Sequence, residues 1–342
     1  MAGHAGYVRL TLAAALAVAA APALAGEIEA TGGEPPAVAA SATPQEPETL
    51  PAADPAPPQQ SLEEAWWTGP MLAANAGTLP TGRWLVEPYL FDVRTKDGDT
   101  FGSLTYILYG VTDRVTVGAI PTFYYSRVDD AQDSSHVGTG DLTLQAQYGL
   151  TRFRKGSWVP TTSLVLQQSL PTGKHDRLDG HSADGFGSGA YATTLGYYVQ
   201  TYAWAPNGRA VRFRLNTTAT VSRATDVRDD SVYGTPAGFR GRAKPGAAYV
   251  VSGALEYSAT RNWVLALDLL YRHEEPTKVS GVGPDGALIR YDTGDHDSFA
   301  VAPAIEYNFS STVGVLFGLR VIPAAGGRRG SVTPAMALNY VY

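Results

Sequence analysis

From about Gly82 to the C-terminus, large apolar residues recur at every second position. In 313–323 the odd positions hold Val313, Val315, Phe317, Leu319 and Val321, and the even ones include Gly314, Gly318 and Arg320. In 298–309 the odd positions hold Phe299, Val301, Pro303, Ile305, Tyr307 and Phe309. The even positions there hold Ser298, Ala300, Ala302, Ala304, Glu306 and Asn308. A period of two sends alternate side chains to opposite faces of a strand. One face is large and apolar, the other small or polar. A soluble sandwich would bury the large face against a second sheet. A transmembrane barrel turns it to lipid and the polar face to a lumen.

Three features select the barrel. Twelve such segments start near Arg83, Thr100, Arg114, Thr139, Ser157, Gly189, Ala210, Pro245, Trp263, Ser298, Val313 and Ser331. Each runs for ~9–13 residues, which suits a tilted membrane strand and exceeds the ~5–6 residues usual in soluble sheets. Connections also alternate in length: 110–113, 152–156, 205–209, 258–262 and 310–312 are short, while 128–137, 171–188, 224–244 and 275–297 are mostly longer. Short periplasmic turns opposite long external loops are the pattern of outer-membrane barrels. Finally, Trp84, Trp158 and Trp263 each open a strand leaving the short-turn side, and Phe309 and Tyr342 share that rim. These aromatics are the expected membrane-interface anchors, with Tyr249, Tyr271 and Phe299 falling toward the opposite rim. The predicted fold is all-β: a transmembrane antiparallel up-and-down β-barrel of about 12 strands. Residues 156–173 and 189–208 are free of charge, but their Gln, Thr, Gly and Pro content and their period of two exclude a helical crossing.

The first residues follow a different pattern. A weakly basic start, an apolar run over 10–21 and the small-residue site Ala23-Leu24-Ala25 make residues 1–25 a secretory signal peptide. Residues 26–60, rich in Pro, Ala and Glu, form a disordered periplasmic linker. Residues 61–81, with Trp66 and Trp67, are a lead-in that acts as a plug or an interface anchor, and 82–342 is the barrel. The expected location is the outer membrane of a Gram-negative bacterium. The final run Leu338-Asn-Tyr-Val-Tyr342, with its terminal aromatic, resembles the signal read by the outer-membrane assembly machinery.

Composition narrows the chemistry. The 342 residues include no cysteine, which excludes a disulfide scaffold and Cys-ligated metals. Only 17% are charged, against ~25% in soluble domains. The formal charge of −6 comes with no basic stripe, so no nucleic acid is expected as a partner. Outer-membrane lipid, lipopolysaccharide and a small-molecule solute are. The basic residues Arg240, Arg242, Lys244, Arg328 and Arg329 lie in external loops and suit lipopolysaccharide phosphates or plain solvation. Asp292, Asp295, His296 and Asp297 fit no defined metal loop, so no metal and no cofactor are assigned. Loop histidines have serine neighbours, among them His181 and Ser182, but no third group to orient them, so no catalytic residue is assigned.

Two stretches carry a family resemblance. They are 67–93, "WTGPMLAANAGTLPTGRWLVEPYLFDV", and 140–174, which opens on Gly-Asp-Leu and closes on Leu170-Pro-Thr-Gly-Lys174. The chain resembles the outer-membrane transporter-like family of the meta-pathway of phenol degradation. The resemblance implies a barrel associated with uptake of aromatic or other small hydrophobic compounds, and it brings no catalytic residue.

Strand parity yields an inner surface. Its charged members are Glu87, Arg114, Asp141, Arg212, Arg214, Glu256, Asp268, Arg272, Glu306 and Arg320. Arg212 and Arg214 face the strand of Glu256, and Asp268 and Arg272 face that of Glu306. Such a belt is either a selective constriction or a salt-bridge network filling a narrow barrel. Tyr89, Tyr109, Tyr124, Tyr198 and Tyr202 suggest an aromatic track along the lumen. The expected function is passive uptake of small, hydrophobic or aromatic molecules. A closed structural or adhesion barrel is the alternative, and an outer-membrane lipid hydrolase a weaker one.

Overall fold

The computed structural model describes residues 57–129, 131–324 and 329–342. The signal peptide, most of the linker and Arg328 lie outside them. In chain order the strands are β1 (Trp84–Thr95), β2 (Gly98–Thr112), β3 (Val115–Ile120), β4 (Thr122–Val128), β5 (Gly138–Thr139), β6 (Leu142–Thr151) and β7 (Thr161–Leu170). There follow β8 (Ala192–Trp204), β9 (Ala210–Ser222), β10 (Thr225–Arg228), β11 (Arg240–Lys244), β12 (Ala248–Ser258) and β13 (Trp263–Glu274). The last five are β14 (Lys278–Val282), β15 (Leu288–Asp292), β16 (His296–Asn308), β17 (Val313–Ile322) and β18 (Ser331–Val341). A single 3-10 turn, Ser182–Asp184, is the one helical element among the described residues.

Twelve spans build the barrel, with β3 and β4 forming one span broken at Pro121. Proline has no N–H to give the ladder, and the Thr105 amide reaches its carbonyl at 3.2 Å across the break. All neighbours are antiparallel, and β1 pairs with both β2 and β18, so the chain ends meet. Trp84 and Tyr342 exchange backbone hydrogen bonds there, at 2.9 and 3.0 Å. β9 lies against β12 and completes the circle.

Sidedness identifies the solvent outside. In β13, Leu265, Leu267 and Leu269 are 43–50% exposed, while Val264, Ala266 and Asp268 are at most 7%. A row of half-exposed leucines opposite a buried aspartate suits lipid outside and polar groups within. No described helix is long and apolar enough to cross a membrane.

Two expectations about the connections are corrected. Trp158 opens no strand, because β7 starts only at Thr161; the indole sits in the preceding turn, 90% exposed. The long segments 224–244 and 275–297 also contain β10, β11, β14 and β15, which form a four-stranded antiparallel sheet beyond the barrel rim. Its strands have only four or five residues and are flanked by glycine and proline, so their alternation is too short to read. One side buries Val227, Phe239, Ala243 and Val279, with Tyr233, Ile289 and Tyr291 packed against them.

Candidate functional site

The lead-in enters the barrel. Residues 61–83 have no apolar period and form no strand, so their backbone groups need partners once water is excluded. The wall supplies them. Glu306 Oε2 accepts the amides of Thr68 (2.8 Å) and Gly69 (3.1 Å). The two oxygens of Asp268 accept those of Met71 and Ala73, both at 2.9 Å. Arg214 Nη1 donates to Ala73 O (2.7 Å), Asn216 Nδ2 to Ala74 O (2.9 Å) and Gln147 Nε2 to Asn75 O (3.0 Å). Small side chains let the segment thread this narrow path; Ala73 and Ala76 are fully enclosed. The Trp67 ring lies 4.5 Å under the Arg212 guanidinium, and Trp66 stacks on Arg261 at 4.3 Å. Trp204, on the inward side of β8, donates to Gln60 O at 2.8 Å.

The charged belt is therefore built differently from the expected pairing. Arg212 and Arg214 do meet Glu256: Arg212 grips it with two nitrogens, and Arg214 Nε approaches to 3.1 Å. All three are almost completely buried, and buried charge persists only when paired. Asp268 and Glu306, however, hold plug amides rather than Arg272. Arg272 turns instead to Glu274 on its own strand, near the long-loop end. Parity places a carboxylate in the lumen, but it does not say whether a cation or a backbone amide will reach it. Glu87 accepts from Asn339 at 3.0 Å, and Arg320 donates to Thr333 at 3.3 Å.

Two more candidates sit at the mouths instead of the belt. Arg114 is exposed in the short turn between β2 and β3. Asp141 precedes β6 at the opposite end and accepts from Gly173 N (3.0 Å), Ser188 N (2.8 Å) and Ser188 Oγ (2.6 Å). It thereby pins the connection 171–191 over the barrel mouth. In that cap Gly173 and Gly187 pack backbone to backbone, where a Cβ on Gly187 would fall 2.2 Å from Gly173 O. Asp184 clamps the cap to the neighbouring loop, accepting Ser135 N at 2.8 Å and Ser135 Oγ at 2.6 Å. Burial pushes the Asp184 carboxyl up, but the two Ser135 bonds together with the His136 and Lys174 charges outweigh it and hold the group below the usual carboxylate range.

On the long-loop side of the plug an apolar cluster covers part of the inner wall, beside the polar Gln145, Gln167, Thr218 and Arg320. Met71 and Leu72 at the plug tip pack with Tyr89, Leu104, Ile120 and Leu316, and Phe91, Tyr106 and Leu270 surround this cluster. Aromatic rings lead down from the cap: Phe186 to Tyr124 (centroids 5.4 Å apart), then Tyr124 to Phe91 (6.2 Å). Tyr106 was missed by the sequence reading, whereas Tyr109 faces outward against Trp84 at 4.7 Å. Below the plug, a cavity of about 880 Å³ opens among the short turns, lined by Asn75, Arg114, Phe153, Tyr202 and others. Trp84, Trp263, Phe309 and Tyr342 stand half-exposed on the outer wall at this end.

The serine–histidine arrangement is the reverse of a nucleophile's. Ser135 Oγ gives its proton to Asp184 and touches His136 Nδ1 at 2.7 Å. The carboxylate thus binds the serine, not the imidazole, and among the described residues no hydrogen bond to a third group orients the ring. Ser182 starts the 3-10 turn, and His181 Nδ1 is buried without a hydrogen-bond partner among the described residues. No cluster of three or more metal-binding side chains exists among the described residues.

Known proteins agree with this architecture. Residues 73–324 match the sequence family described as "Putative MetA-pathway of phenol degradation". An outer membrane channel from Pseudomonas putida F1 superimposes with a TM-score of 0.57 at 15% identity, covering 79% of this chain and 98% of that one. That likeness shows the fold. The KdgM porin (TM-score 0.39, 9% identity, 74% of this chain and 98% of that) and a mutant of the TodX monoaromatic hydrocarbon channel (0.37, 10%, 77% and 91%) are too distant in shape to carry an argument. No curated protein matches the chain by sequence.

Proposed function

Since the chain belongs to the outer-membrane family of the phenol-degradation MetA pathway, we propose that it passes small hydrophobic or aromatic molecules passively across the outer membrane. The apolar, aromatic cluster packed against the plug tip carries this reading. A porin for hydrophilic solutes needs a wetted polar path, whereas Tyr89, Phe91, Leu104 and Tyr106 offer an incoming solute an oily surface. The solute enters past the cap, rests against these side chains and leaves when the plug shifts. Asp268, Glu306 and Arg214 hold the plug, and Arg212 with Glu256 stiffens the wall behind it. The cavity of about 880 Å³ on the short-turn side is the exit vestibule. In the same reading residues 1–25 are removed on export, the C-terminal strand is the assembly signal, and Trp84, Trp263, Phe309 and Tyr342 anchor the periplasmic boundary.

One observation favours a closed structural barrel instead: the plug is tied by at least seven wall hydrogen bonds. One measurement separates the readings. Both predict little ion current in planar bilayers, but under the transport reading cells expressing the chain should take up toluene faster than cells lacking it. Equal toluene uptake in the two strains would sink the transport reading and leave the structural one.

A further inference from the structure

The four-stranded sheet beyond the rim has a second face, and that face is basic. Covered and uncovered residues alternate along each strand, so Arg228, Arg240, Arg242, Lys244, Lys278 and Arg290 all project to the open side. Only Asp226 and Asp292 oppose them on that side, in a chain whose formal charge is −6. Asp226 is paired with Arg242 at 3.2 Å.

The register makes the concentration of charge sharper. Arg228 lies directly opposite Arg240, and Lys244 directly opposite Lys278. Like charges directly across a ladder destabilise it. Folding alone gives no reason to place such a pair at each end of the five-residue β11, where only Asp226 between them and Asp292 across from Lys278 offset the charge. An anion seated between them converts repulsion into attraction.

Position identifies the anion. The strands of this sheet continue β9, β12, β13 and β16 of the barrel wall. The face starts just past the outer-rim aromatics Tyr249, Tyr271 and Phe299, and from Lys244 to Arg240 it rises roughly 13 Å. Its covered side is turned to the cap, where Tyr233 donates to Ser188 O. The basic side is the face opposite the one that makes this contact, on a sheet that stands beyond the membrane-spanning strands. We infer that it docks the phosphate and carboxylate groups of outer-leaflet lipopolysaccharide, holding the glycolipid headgroup against the barrel's long-loop side. The proposal is independent of what the lumen carries.

The test uses the whole protein in mild detergent and reads the temperature at which its compact gel form is lost. Rough lipopolysaccharide should raise that temperature for the wild type, and the rise should vanish near ~1 M salt, where screening is nearly complete. The variant R228Q/R240Q/K244Q/K278Q should be at least as stable as wild type without the glycolipid, because both repulsive pairs are gone. Its apparent affinity should fall about tenfold or more, from four weak exposed contacts. Should that variant fail to fold, R240Q and K278Q singly must each weaken the effect. Three outcomes overturn the proposal: an unchanged shift in the folded variants, an equal shift with dephosphorylated lipopolysaccharide, or an equal shift with inorganic phosphate at matched concentration.

Discussion

Both carboxylate oxygens of Asp268 are occupied by the plug, Oδ2 by the amide of Met71 and Oδ1 by that of Ala73, each at 2.9 Å. The residues are almost 200 positions apart in the chain. This side chain on β13 sets how far the lead-in reaches into the barrel. Glu306 repeats the device one strand away, on β16.

Asp268→Asn removes the charge and leaves one oxygen for two amides. A hydrogen bond to a charged group contributes ~1.5–3 kcal/mol, so the plugged state should lose about that much. Single-channel recordings should show frequent openings that the wild type lacks, and protease should cut the lead-in faster. Unchanged current together with unchanged cleavage would remove Asp268 from the plug's support.

Gly314→Val tests the plug without touching charge. A Cβ at this position in β17 would lie 1.9 Å from Thr68 Oγ1. Valine suits a strand, so the β17 backbone should stay in place while Thr68 and its partner Asn308, whose Oδ1 would lie 2.7 Å from the new Cβ, are pushed aside. We expect openings as in Asp268→Asn with little change in barrel unfolding temperature. A wild-type current record would mean that Thr68 moves aside without disturbing the plug.

Glu256→Met strands two buried arginines. Breaking a buried ion pair from one side typically costs ~3–5 kcal/mol, whereas replacing the whole group by apolar residues is often neutral. The single variant should therefore unfold at a clearly lower temperature, and Arg212→Met/Arg214→Met/Glu256→Met should recover most of the loss. The triple variant should still leak, because Arg214 no longer holds Ala73 O. Gel mobility after heating measures the first effect and bilayer current the second.

The cap should loosen in acid. The folded Asp184 carboxyl lies below its ordinary value, because the two Ser135 bonds and the His136 and Lys174 charges together outweigh burial. A depressed carboxyl stabilises the folded form above its unfolded value of ~3.9 and loses that contribution as pH falls through the folded one. Hydrogen exchange in the cap, corrected for the intrinsic rate, should therefore rise between about pH 5 and pH 3. Ser135→Ala should be looser at pH 5 already and respond less to acid. An equal acid response in both proteins would place the sensitivity elsewhere.

Strand parity was the most legible feature, and its failures have definite causes. It placed Asp268, Glu306, Glu256 and Arg212 on the inner wall correctly, because alternation is a property of the backbone alone. It misplaced Tyr109, which pairs outward with Trp84, and it put Asp141 and Arg114 in the belt although both lie past their strand ends. Parity has no vertical coordinate, so it cannot tell a belt residue from a mouth residue. The sheet beyond the rim was hidden because sidedness inverts around Arg223-Ala224 and Pro245-Gly246, interrupting the period that an alternation count follows.

By itself the sequence determined the all-β class, the twelve crossings, the lipid-facing side of most strands and the ends with short and long connections. These follow from local periodicity and from turn length, which need no knowledge of distant residues. Tertiary structure alone decided that the lead-in lies against the inner wall, that Asp268 and Glu306 serve its backbone amides instead of Arg272, and that Met71 and Leu72 pack into an apolar cluster of wall residues. An aperiodic segment carries no mark of where it will lie. Its unpaired amides are satisfied by whichever carboxylates the closed barrel brings within about 3 Å, and ring closure sets those distances across some two hundred residues of chain.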